Sequence, residues 1–407
     1  MPDVHIPKGG RVSLERVEGD LDAEPGVKIS AGPSGRIVVS GDATFEGDAE
    51  ILAPFECRQF RARNGRVRAN AGVTAREEFS AERAKIEVVG PLSSPRVDVD
   101  RELRLRADAS VGRLSVGGSL EAEGAITGDR LSVGGSMRVA GLTKGDALSV
   151  GGRAELGPVD LATFDVGGSG VVRGGTIRSS IDVGGRFASE GPLEFGDIDV
   201  GGVVDFHGSA KGRKISVGGL IHASHDLTFE TMEVGGIAEI AGNASGDSLE
   251  VGGKLHIEGN LTLTGALETG GIGTVGGDVV ARSLEVGGTF EARRATIAES
   301  AEVGGSIRTE TGVRAQKIEV GDRSRVRGPL VGGRVVVGRN ARAELVYGTT
   351  VEVESGARVD RVIADDVEIG PGARVEHVDY VRTLRVGAGA VVAEPPVQLQ
   401  ERPKPPE

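Results

Sequence analysis

Apolar and polar positions alternate along the chain in a short phrase that returns many times: an apolar residue, a polar residue, a valine and two glycines. The phrase appears first as Leu114-Ser115-Val116-Gly117-Gly118 and recurs as Leu131 to Gly135, Leu148 to Gly152, Phe164 to Gly168, Ile181 to Gly185 and Ile198 to Gly202. It continues as Ile215 to Gly219, Met232 to Gly236, Leu249 to Gly253, Leu284 to Gly288 and Ala301 to Gly305. From Val116 to Val251 the central valines step by 17 residues (133 − 116), once by 16 (166 − 150). A fixed internal period decides architecture before any local propensity does. In–out–in alternation around a β-branched residue predicts a half-buried strand. The Gly-Gly pair is then expected to turn a corner by adopting positive φ. A second apolar pair follows, such as Leu120 and Ala122 or Leu255 and Ile257, and then a third apolar point at Ile126, Leu142, Leu193, Leu227 or Leu261.

Three short strands and three corners fit 17 residues, so each repeat is expected to be one turn of a triangular coil. The predicted fold is all-β, a single-stranded parallel β-solenoid with coils stacked about 4.8 Å apart. A helical solenoid would need long amphipathic runs that glycine this dense prevents. Only 3% of residues are aromatic and none is tryptophan, which suggests a bore of Val, Leu and Ile without room for large rings.

The period organises the whole chain. Residues 1–33, with scattered Gly, Pro and Asp, are expected to be a disordered N-terminal tail. Residues 34–112 carry irregular first coils, marked by Phe60, Phe79 and Val97 and rich in arginine (Arg58, Arg61, Arg63, Arg66, Arg68, Arg76). Residues 113–320 form the regular Val-Gly-Gly array, with one slip at Thr269-Gly270-Gly271. Residues 321–392 keep the period without the second glycine, through Val337, Val353, Ile369 and Val386. Residues 393–407 are a proline-rich tail not expected to join a ladder. About twenty coils at roughly 4.8 Å each imply a length on the order of 100 Å.

Charge and cysteine content narrow the function. A net charge of −12 argues against a general nucleic-acid binder. The single cysteine, Cys57, rules out a disulfide framework within the chain and reads as a buried thiol. The first residues lack an apolar signal core and no run approaches a membrane span, so a cytoplasmic protein without a membrane anchor is expected.

The stretches Val367-Glu368-Ile369-Gly370-Pro371-Gly372-Ala373-Arg374-Val375-Glu376, Arg385-Val386-Gly387-Ala388-Gly389-Ala390 and Ile37-Val38-Val39-Ser40-Gly41-Asp42-Ala43 resemble bactofilins. The resemblance is one of pattern over most of the chain. It implies a right-handed β-helix core with disordered, proline-containing tails. It also implies a polymer-forming cytoskeletal role, with subunits joining end to end without nucleotide. The C-terminal Gly-x-Gly-Ala phrases are also similar to hexapeptide-repeat acyltransferases, which are left-handed and use a protruding loop and a catalytic histidine. The only histidine there is His377, with no loop insertion around it. The export signal and long carboxylate- or arginine-bearing loops of secreted polysaccharide lyases and adhesins are also missing from the pattern.

The residues offer few chemical candidates. A glycine pair in every coil matches neither a P-loop nor a dinucleotide fingerprint; corner geometry, or a smooth stripe for lateral packing, fits better. The outward column five places after the valine reads Glu121, Arg138, Glu155, Val171, Ala188, Asp205, His222, Glu239, His256. Within it, Asp205, His222, Glu239 and His256 offer a divalent-metal column, against the alternative of solvated charge alternation. The column Glu233, Glu250, Glu268, Glu285, Glu302 and Glu319 stacks like charges, which suits a basic partner or cations, or else keeps solenoids apart. No catalytic, cofactor or metal residue is assigned. The expected function is a non-enzymatic scaffold or filament subunit whose partners are copies of itself and other cytoskeletal or envelope proteins. The alternatives are a monomeric binding module using a charged face and, further off, the acyltransferase.

Overall fold

The computed structural model describes residues 3–405, and among these every regular element is a strand, with no helix. The strands pair in parallel as a β-solenoid of about 23 turns spaced roughly 17 residues apart. The chain divides into two compact units, residues 1–201 and 202–407.

In the first unit each coil contributes three ladders. Ala109–Val116 pairs with Ile126–Val133 as two ladders interrupted at Gly112, and Ser119–Ala122 pairs with Ser136–Val139. The alternation places Leu114, Val116, Leu120 and Ala122 in the bore, all essentially inaccessible, while Glu121 faces out. The third apolar point is displaced in one coil. Ile126 pairs with Thr143, not Leu142, so Thr143 is buried and Leu142 is 40% exposed.

The expected tail over residues 1–33 is instead ordered solenoid. Val4–Ile6 pairs with Leu21–Ala23, Arg11–Leu14 with Lys28–Ala31, and Leu21–Ala23 continues to Ala43–Phe45. The scattered glycines and prolines are corners: Gly9 has φ 72°, and Gly26, after Pro25, has φ 84°. The bore also accepts rings. Phe45, Phe55, Phe60 and Phe79 are buried together, with Phe60 and Phe79 stacked 4.4 Å apart at 4°. Elsewhere a glycine makes the room: a Cβ on Gly170 would lie 2.9 Å from the Phe164 ring.

The second unit repeats the plan, from Val203–Phe206 and Leu220–Ala223 through Lys254–Ile257 and beyond. At the slip, Thr269 replaces the corner valine, pairs with Val251 and Val286, and is buried in the bore. Across the Val-Gly-Gly array in both units, none of the paired corner glycines adopts positive φ. They are glycines for a different reason, close stacking. A Cβ on Gly135 would sit 2.6 Å from the Gly118 carbonyl oxygen one coil back, the same oxygen that accepts the Gly135 N–H at 2.9 Å. Gly236 and Gly253 are crowded in the same way by Gly219 and Gly236.

The last coils turn differently. Arg325–Val337, Arg342–Val353, Arg358–Ile369 and Arg374–Val386 are long, bent strands separated by one-residue left-handed corners at Asn340, Gly356 and Gly372. Gly370-Pro371-Gly372-Ala373 is a type II turn by its Pro and its φ of 67° at Gly372, closed by Ala373 N–H to Gly370 C=O at 3.2 Å. The proline-rich end is not free of the ladder. Val397–Gln398 pairs with Asp379–Tyr380, because the prolines Pro395 and Pro396 precede the pairing residues and leave their N–H groups available. Beyond it the segment runs back along earlier coils. Leu399 N–H donates to Tyr380 C=O, Arg402 lies 4.9 Å from the Tyr347 ring centroid and donates to Gly348 C=O, and the Tyr347 hydroxyl donates to Pro403 C=O.

Candidate functional site

Strand pairing turns outward residues into columns whose members lie about 4.8 Å apart, and the columns differ sharply in how their charges are satisfied. In the first unit one column runs Lys28, Glu50, Arg68, Glu87, Arg104, Glu121, Arg138, Glu155, alternating in sign at every coil. Lys28 meets Glu50 at 2.5 Å and Arg138 meets Glu155 at 2.6 Å. Glu87, only 8% exposed, lies within 3.9 Å of Arg66, Arg68 and Arg106. Hydrogen bonds from Lys28 and Asn70 hold the Glu50 carboxyl below its ordinary range, and Lys85 does the same for Glu102. The arginines at 58–76 are drawn into such pairs: Arg58 and Arg61 share Asp42, Arg63 meets Glu46 and Glu82, and Arg76 meets Glu56.

In the second unit Asp205, His222, Glu239 and His256 do stack in register. Two of them turn to separate partners. A His222 ring nitrogen is 3.3 Å from the Ser224 hydroxyl, and Glu239 is 3.9 Å from the Lys254 ammonium. Among the described residues no three His, Cys, Asp or Glu side chains are grouped so as to hold a metal ion. The acidic column is as the repeat implies: Glu233, Glu250, Glu268, Glu285, Glu302 and Glu319 are consecutive partners. Lys214 approaches Glu233 at 3.8 Å and Lys317 approaches Glu319 at 2.7 Å; among the described residues the four glutamates between them have no ion pair. The Cys57 thiol is buried, which pushes it up to about 12 and leaves it protonated. His377 pairs with Glu394 at 2.8 Å. Among the described residues no helix is long and apolar enough to cross a membrane.

Two further features bear on assembly, the first of them not anticipated from the sequence. The first is a column of four arginines, Arg325, Arg342, Arg358 and Arg374, which are register partners in successive coils. All four are exposed and, among the described residues, none makes an ion pair or side-chain hydrogen bond. Its signal was present, since each arginine is the second residue after a left-handed corner residue at Arg323, Asn340, Gly356 or Gly372. The second is the state of the last coil. Thr383 to Val386 pair with the preceding coil only, and Val386 and Val391 are 49% and 50% exposed. No family model, curated protein or solved structure matches the chain.

Proposed function

We propose that this protein is a non-enzymatic, cytoplasmic structural subunit of the bactofilin type, assembling end to end by continuing its coil stack across subunits without nucleotide. The half-exposed last coil carries this reading. An unpaired strand edge is a template for another strand. Val386, half-exposed, and Val392 beside it continue the bore columns of the buried Ile369 and Val375, and so present the apolar surface that a buried coil presents to its neighbour. The following segment runs back along the flank toward Tyr380 and Tyr347, leaving Thr383 to Val386 uncovered. Every coil boundary within a unit buries the same type of surface, so a boundary between copies needs no new chemistry.

The test is high-speed pelleting of the full chain without nucleotide, comparing wild type with Val386→Glu and, separately, Val392→Glu. Both positions are at the open edge, so circular dichroism should show an intact fold. The expected outcome is a wild-type pellet that either substitution abolishes. A folded wild type that stays in the supernatant at every concentration would remove the reading. The in-register glutamate column favours the second reading, a monomeric module holding a basic partner on that face; that reading predicts the unpelleted outcome.

A further inference from the structure

The arginine column has a companion two residues along each strand. Arg342, Arg358 and Arg374 are followed on the same outward face by Glu344, Asp360 and Glu376, each at the same offset of two residues from its register-paired arginine. The face therefore carries a positive row and a negative row side by side, about 7 Å apart by strand rise. Among the described residues the rows do not neutralise each other, for no ion pair joins them. Backbone hydrogen bonds, such as Arg358 N–H to Ala341 C=O and Arg374 N–H to Ala357 C=O, fix each arginine at its place in the stack. Burial, Glu376 and Glu344 hold the Asp360 carboxyl above its ordinary range.

We propose that this two-row face pairs with the same face of a second copy, in a parallel side-by-side dimer. Symmetry selects the orientation. A two-fold axis lying in the interface along the stacking direction sets each arginine row against the partner's carboxylate row, coil for coil. An in-plane axis across the stacking direction would set arginine against arginine. A closed two-fold pairs each residue with its counterpart reciprocally, so the three coils give Arg342 to the partner's Glu344, Arg358 to the partner's Asp360 and Arg374 to the partner's Glu376, each twice. The preceding coil bounds the contact, because Arg325 is followed by Arg327 and like charges would meet there. A polyanion is the less suited occupant, since lying on the arginine row would hold it alongside three carboxylates. The face is small beside the roughly 800 Å² per partner of a stable interface, so association should be weak and salt-dependent. The face is separate from the open coil edge and does not depend on end-to-end stacking.

Sedimentation velocity on the full chain, with Val386→Glu added to silence end-to-end growth, tests this with a charge swap. Arg342→Glu/Arg358→Glu makes both rows acidic and Glu344→Arg/Asp360→Arg makes both basic. Each alone should associate at least about tenfold more weakly than the unswapped chain, and their mixture should recover the association. Orientation is read by crosslinking: Arg358→Cys mixed with Asp360→Cys should form disulfide-linked dimers faster than either alone. The inference is overturned if the mixture does not recover, if either swapped chain associates as the unswapped one does, or if Arg358→Cys crosslinks fastest to itself. It is also overturned if the unswapped chain stays monomeric yet binds short-chain inorganic polyphosphate in an Arg342- and Arg358-dependent way, which would make the row a polyanion site.

Discussion

The column from Lys28 to Glu155 and the column from Arg325 to Arg374 use the same parallel strand geometry to opposite ends. In the first, each coil offers the sign its neighbours need, and Glu87 sits almost buried among three arginines. In the second, four arginines stack with nothing between them. Parallel pairing repeats whatever the sequence supplies once per coil, so the sign pattern, not the fold, decides whether charge is satisfied within the chain or offered to a partner. The Val-Gly-Gly and left-handed corners make a similar contrast, one dictated by crowding from the next coil and the other by φ.

Glu87→Lys should be the most damaging charge change. It sets a nearly buried ammonium among Arg66, Arg68 and Arg106 and should cost about 2–3 kcal/mol in urea unfolding, less than a fully buried pair because the arginines are partly solvated. Next comes the corner comparison. Gly135→Ala forces a Cβ against the Gly118 carbonyl and should cost about 1–3 kcal/mol as overpacking. Gly372→Ala meets nothing within 4 Å and should cost only about 1 kcal/mol for its left-handed φ. Arg358→Glu should do the reverse of Glu87→Lys. It introduces alternation between Arg342 and Arg374 and should stabilise the second unit by a few tenths of a kcal/mol.

The smallest effects are in pH dependence and have opposite signs. The Glu102 carboxyl is held below its ordinary range by Lys85, so its contribution is complete above the unfolded value and is lost as pH falls through the folded one. Asp360 is held above its range, so the folded chain binds its proton more readily than the unfolded chain, and the stability this costs at neutral pH is recovered on acidification. Melting curves of Glu102→Gln and Asp360→Asn from pH 7 downward should show the first losing stability mainly at the neutral end and the second gaining it there. Equal behaviour in the two variants would break the contrast.

Much of the fold was legible because burial alternates with period two and the coil repeats with period 17. Residues such as Leu114, Val116 and Leu120 could hardly face elsewhere. The first two coils were illegible because their corners use single glycines and prolines, such as Pro25-Gly26, which read as loop until a neighbouring coil pairs beside them. Leu142 and Thr143 were misassigned by one residue, since an apolar side chain outweighs register when only one coil is in view. Phenylalanine in the bore finds room either against another ring one coil away, as Phe60 does against Phe79, or beside a small residue of its own coil, as Phe164 does beside Gly170. The acidic column could be read directly, because its spacing follows the valines. The isolation of the arginines could not, because an ion pair depends on side-chain direction and on coil lengths that vary at the corners.

End-to-end assembly is most directly tested by negative-stain electron microscopy of the purified full chain without nucleotide, at two salt concentrations. Filaments of uniform width that lengthen with protein concentration at both salts, and that vanish with Val386→Glu, are the predicted result. Separate particles of one size, unchanged by concentration or salt, would contradict it.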